Sequence, residues 1–142
     1  MWSDTLFHSE QLHLLRLLLW AGLSIVGGTT VGAVVGLRRI RSPFLRHFGG
    51  QLAGWGVVVA AIAGAGWHRV HMRDLSGAAR LERLLWLNVG LDAGYVAVGA
   101  VLALSAWMLA RRMAVVGAGM GIAVHGLALL VIDLQFAAVV SR

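Results

Sequence analysis

The sequence predicts an all-α protein, an integral membrane four-helix bundle with short loops that forms one domain over residues 1–142. Three observations carry this. Hydrophobic residues make up 59% of the chain and charged residues only 13%, whereas a soluble domain uses roughly a quarter charged residues. The apolar residues gather into four long runs, each of about 20 residues or more, enough to span a hydrocarbon core of about 30 Å as helix. Arginines and tryptophans collect at the ends of those runs, where headgroups lie.

In chain order, the first run covers residues 14–37. Ahead of it, residues 1–13 carry Asp4, His8, Glu10 and His13 and no basic cluster. They read as a short amphipathic lead on the membrane surface, not as a cleaved signal peptide. The next segment holds Arg38, Arg39, Arg41, Pro43 and Arg46, and proline forbids a continuous helix there. The second run covers 48–67. A longer polar stretch, 68–83, mixes Arg69, Arg73, Asp74, Arg80, Glu82 and Arg83 with apolar residues. Its latter half is expected to form a helical turn at the interface. The third run, 84–110, and the fourth, 113–140, are separated only by Arg111 and Arg112, which forces an antiparallel hairpin. Trp2, Trp20, Trp55, Trp67, Trp86 and Trp107 mostly fall near these boundaries, as an aromatic belt would.

There is no cysteine, so disulfides and thiolate metal sites are impossible. All twelve basic residues are Arg and the net charge is +6. Their position at the ends of apolar runs points to lipid headgroups and excludes nucleic acid as a partner. The loop after the first helix and the turn after the third share one side and contain six Arg without an acid. The other side also has six Arg, Arg16 and Arg142 among them, but with Asp4, Glu10, Asp74 and Glu82 added. The positive-inside tendency leads us to expect the acid-free side in the cytoplasm and the termini in the periplasm.

Small residues recur four apart in each helix: Gly28, Gly32 and Gly36; Gly50 and Gly54; Gly90 and Gly94; Gly117 and Gly121. In lipid no hydrophobic force pulls helices together, so close backbone approach at small residues is the expected packing code.

Polar residues inside the apolar runs are costly and therefore informative. Asp92 and Asp133 fall at similar depth, because the helices that carry them are antiparallel. The sequence predicts a buried polar cluster of Arg16, Asn88, Asp92, Tyr95 and Asp133, with three of these on one face of the third helix by spacing. Such a cluster can act as structural glue or as a proton relay. A relay needs polar residues on the opposite half, which offers little beyond Gln51 and His125. His125 sits at mid-membrane with Gly121 one turn before it. The expectation is an interhelical hydrogen bond; the alternative is a pigment ligand, as in the light-harvesting subunits whose central histidine binds bacteriochlorophyll. His68 and His71 are three apart but lack a carboxylate at ligand spacing, so no metal site is expected. No hydrolase elbow or HExxH string occurs, and Gly117–Gly121 lies within a helix and follows no strand, which rules out a phosphate loop.

The strings Gln51…Trp55-Gly56…Ile62-Ala63…Gly66, Leu87-Asn88-Val89-Gly90-Leu91-Asp92-Ala93-Gly94-Tyr95 and Gly126-Leu127-Ala128-Leu129-Leu130-Val131-Ile132-Asp133 resemble a bacterial family of small four-helix membrane proteins of unknown function. The Asn-x-Gly-Leu-Asp-x-Gly-Tyr motif is the most specific part. His125 stands where that family is expected to have Gln. The small, Arg-only, four-helix form is also similar to accessory subunits of bacterial reaction-centre–light-harvesting supercomplexes. That resemblance implies a bacterial inner or intracytoplasmic membrane, other membrane subunits as partners, and contact with lipid, carotenoid or bacteriochlorophyll. The expected function is a non-catalytic accessory subunit; the alternative is a small proton- or ion-coupled transporter using Asp92 and Asp133.

Overall fold

The computed structural model describes residues 2–141. It is all-α, with helices α1 (Trp2–Leu37), α2 (Pro43–Trp67), α3 (Leu75–Ser105) and α4 (Met113–Val140), and a π-helical turn at Ala106–Ala110 that prolongs α3. All four helices are long and apolar enough to cross a membrane. Arg142 and the side chain of Trp2 lie outside what is described.

Two boundaries differ from the sequence reading. The N-terminal lead is not a separate surface segment; it is the start of α1. Leu6, Glu10, His13 and Leu14 are buried, and the same stripe continues through Ala21, Ser24 and Gly28. That spacing is one helical face. Its acid is neutralised from outside the helix: Arg73 donates from Nε to Glu10 Oε2 (2.9 Å) and from Nη2 to Oε1 (2.7 Å). The expected interfacial turn before the third helix is the first part of α3. Asp74 caps it, accepting from the backbone N–H of Gly77 at 2.7 Å. Ala78 and Leu85 are buried, while Glu82 accepts from the Ser141 hydroxyl at the end of α4.

Pro43, expected to stop a helix, opens α2 at its first position, where a missing N–H costs nothing. Ser42 is the N-cap, accepting from Leu45 N–H at 3.3 Å. Between α3 and α4 the chain turns at Arg111, which takes a left-handed backbone (φ 50°) and lays its guanidinium 4.4 Å from the Trp107 ring centre. The antiparallel hairpin is as expected.

Among the described residues α1 packs on α2 and α4, α2 also packs on α4, and the backbone of α3 comes close to that of α4 alone. Glycines mark each of the three main contacts. A Cβ on Gly28 would strike Gly49 and Ala53 of α2. One on Gly117 or Gly121 would strike Phe44 or Gln51 of α2, and one on Gly119 would lie 2.7 Å from the backbone of Gly99 and Ala103 in α3. Gly28, Gly117 and Gly121 therefore pack as the sequence predicts. Gly32, Gly36, Gly50, Gly54, Gly90 and Gly94 meet nothing within the described residues: nothing lies within 4 Å of the Cβ position of any of them. In α2 and α3 this follows from phase. At about 100° per residue, Gly50 is turned a quarter of the way round from Gly49, which does pack, and Gly90 points opposite to Gly99. The glycines that do the packing beyond those expected are Gly49, Gly56, Gly66, Gly99, Gly119 and Gly126.

Candidate functional site: a carboxyl pair in a lateral groove

Because α3 leans on α4 alone, it stands off from α2 and leaves a groove between them. The groove has a volume of about 180 Å³, and its polar lining is Asn88, Asp92, Tyr95 and Asp133. Its apolar walls include Trp55, Val59 and Leu129. Trp55 of α2 meets Tyr95 of α3 edge to face, with ring centres 5.1 Å apart, and closes one end.

Asp92 and Asp133 are 4% and 5% exposed, and both line the same groove. Asp92 Oδ2 is buried without a hydrogen-bond partner among the described residues. Asp133 faces His13, whose Nε2 is 3.6 Å from Oδ1. His13 is held there by stacking on Phe136, at 4.4 Å between ring centres and 17° between planes. One helical turn earlier stands Glu10, in its ion pair with Arg73. The Glu10 carboxylate holds the Arg73 guanidinium above its ordinary range by the hydrogen bond it accepts. A line of polar groups thus runs from the Glu10–Arg73 pair at the membrane surface through His13 to Asp133 and Asp92.

Four of the five residues predicted for the cluster meet around this groove. Arg16 does not join them. It is exposed, and its Nη1 donates to Gln135 at 3.0 Å, because its long side chain passes along the outside of α4 instead of into the groove. The group opposite Asp133 is His13, which the sequence reading placed on the membrane surface. The signal for it was the spacing of Leu6, Glu10 and His13, which continues the buried stripe of α1.

His125 is 3% exposed, yet neither ring nitrogen has a partner among the described residues. The interhelical hydrogen bond expected of it is not made. Trp20 and Trp55, expected in the interfacial belt, turn inward and flank it, with ring centres at 5.8 and 6.1 Å. Trp20 Nε1 and Ser24 Oγ are likewise buried without partners. The room that pigment ligation requires beside His125 is filled. Gln51 and Phe48 occupy the space over Gly121, and Tyr95 occupies that over Gly126. Trp67, Trp86 and Trp107 remain exposed, as belt residues do. Of the paired histidines, His71 has its Nδ1 2.7 Å from the Arg69 carbonyl oxygen. Among the described residues no group of three His, Asp or Glu side chains is gathered as a metal site.

Past His125, toward the arginine-rich end, the glycines of α4 lie against Gln51, Phe48 and Phe44 of α2. No curated protein and no solved structure matches the chain. Most of its length, residues 16–134, from Arg16 to Leu134 and so including the Asp92–Asp133 pair but not Glu10 and His13, matches one family model, and the chain belongs to that family of unknown function, DUF6992.

Proposed function

We propose that this protein is a non-catalytic accessory subunit of a larger membrane assembly, seated against its neighbours mainly by α3. The observation that supports this is the way α3 is left uncovered. Only 11% of its most apolar window is buried within the chain, against 33% for α4. On its groove side Asn88 is exposed and makes no hydrogen bond with another described residue, and on its far side Gly90 and Gly94 have nothing beside them. An amide in hydrocarbon without a partner is costly, and flat glycine faces let a second helix approach closely. Partner helices on these two sides of α3 meet both needs. The context we favour is a bacterial inner or intracytoplasmic membrane, with the termini periplasmic. A photosynthetic reaction-centre–light-harvesting assembly is the form of complex its shape suggests, where pigment and lipid would contact its outer faces.

The test is isolation from native membranes in a mild detergent, followed by native mass measurement. Partner subunits in fixed ratio are expected. Gly90→Leu with Gly94→Leu should release them while leaving the bundle folded by circular dichroism. A monomer or a homodimer refutes the proposal.

The transporter reading rests on the line from Glu10–Arg73 through His13 to the carboxyl pair. Asp92→Asn and Asp133→Asn variants in proteoliposomes carrying a pH-sensitive dye test it. Proton flux in the parent that both variants abolish would favour it over assembly; absence of flux in the parent removes it.

A further inference from the structure

At the opposite end of the bundle, away from the carboxyl pair, the α1–α2 connection borders an open cavity of about 750 Å³. Its polar lining is Arg39, Arg41, Ser42, Arg46 and His47, without an acid, and Gly32 and Gly36 also line it. We propose that this cavity binds the phosphate headgroup of an anionic phospholipid, with an acyl chain lying along the Gly32–Gly36 face of α1.

Three features of different kinds converge on it. The first is charge. Three arginines line one concave space, and guanidinium matches phosphate oxygens in pairs. Basic pockets between spanning helices at a membrane face are suited to anionic headgroups.

The second is backbone conformation. α1 ends with Ile40 N–H donating to Val35 O (3.0 Å) and Arg39 N–H donating to Gly36 O (3.2 Å). This paired ending places the residue after the helix in the left-handed region, where glycine is usual. Here that residue is Arg39, at φ 49°. In a chain with nineteen glycines, a strained arginine at a glycine position suggests that its side chain is needed there.

The third is shape. Nothing lies within 4 Å of the Cβ positions of Gly32 and Gly36, so the cavity continues onto a smooth strip of the spanning part of α1. A free phosphate ion has no use for that strip, and a lipid tail does. This favours a lipid over a soluble phosphate compound as the source of the headgroup.

Because Arg39 occupies a position that glycine prefers, one variant separates binding from folding. Arg39→Gly relieves the backbone and removes a guanidinium. The purified chain in neutral detergent would be titrated with phosphatidylglycerol, with phosphatidylcholine of the same tails, and with inorganic phosphate, and read by native mass spectrometry. One phosphatidylglycerol is expected to be retained in preference to phosphatidylcholine. Arg39→Gly should weaken it about fivefold, and Arg41→Gln with Arg46→Gln about twenty-five-fold, from roughly 1 kcal/mol per arginine. The thermal stability of Arg39→Gly should equal or exceed that of the parent. Arg111→Gln with Arg112→Gln removes two charges on the same membrane side but outside the cavity, and should leave retention unchanged. Equal retention of the two lipids overturns the proposal. So does an equal loss in the Arg111/Arg112 control, undiminished binding by Arg39→Gly, or displacement of the lipid by millimolar inorganic phosphate.

Discussion

Placing a methyl group on Gly119 and on Gly94 separates the packed face of the bundle from its open one. At Gly119 the new carbon would lie 2.7 Å from both the Ala103 nitrogen and the Gly99 oxygen. These are backbone atoms of α3, so no side chain can rotate aside and the two helices must part by several tenths of an ångström. A gap of that order forfeits about a quarter of the dispersion attraction along the contact. Overpacking of this type costs about 1–3 kcal/mol, offset by about 0.5–1 kcal/mol from replacing glycine by alanine within a helix. Gly119→Ala should therefore destabilise the isolated chain by about 1–2 kcal/mol. At Gly94 nothing lies within 4 Å, so only the helix term acts and Gly94→Ala should stabilise by about 0.5–1 kcal/mol. Reversible unfolding in mixed micelles, followed by tryptophan fluorescence, measures both. Equal destabilisation by the two variants, or a neutral Gly119→Ala, would refute the assignment of packed and open faces.

Glu10→Gln leaves the Arg73 guanidinium facing a neutral amide, and should cost about 1.5–3 kcal/mol in the same unfolding assay; Arg73→Gln should cost a similar amount, and the double variant less than the two together. Replacing His125 by Leu removes two buried nitrogens that bond to nothing, so the variant should be as stable as the parent or gain about 1–2 kcal/mol; a clear loss would mean that the ring is bonded. The Gly77 N–H and the Ser76 hydroxyl hold the Asp74 carboxyl below its ordinary range. The stabilisation of the first turn of α3 is therefore full above the usual carboxylate range and is lost as pH falls through the depressed value. The Gly77 amide resonance followed against pH should move with that titration, and should cease to do so in Asp74→Asn.

The four spans could be read from the chain because an apolar run of twenty residues has few other uses. Helix ends could not be read so well. The charges of residues 1–13 and 75–83 suggested interfacial segments, yet Glu10 finds Arg73, and Glu82 bonds outward to Ser141. Such partners lie 59 and 63 positions away, beyond any local pattern. Glycine spacing indicated close packing correctly as a kind of interaction but not its phase, since a four-residue repeat fits the packed face and the open face equally well. Within the site, the depth of Asp92 and Asp133 followed from helix length alone. The choice between Arg16 and His13 as neighbour of Asp133 did not. These two lie one turn apart on α1, and the direction of a side chain decides between them.

The contact of α3 with α4 alone has a consequence for how the chain is put together. α1 with α2, and α3 with α4, are two helical hairpins, joined covalently through residues 68–74 and held to one another chiefly where α2 crosses α4. Each hairpin buries its own glycine contact and satisfies its own turn, so each can enter the bilayer as a unit. A chain cut between Trp67 and Leu75 is then expected to behave as two complementary fragments. Co-expressed, they would find each other through Gly117 and Gly121 against Phe44 and Gln51, with Glu10 and Arg73 fastening the cut end.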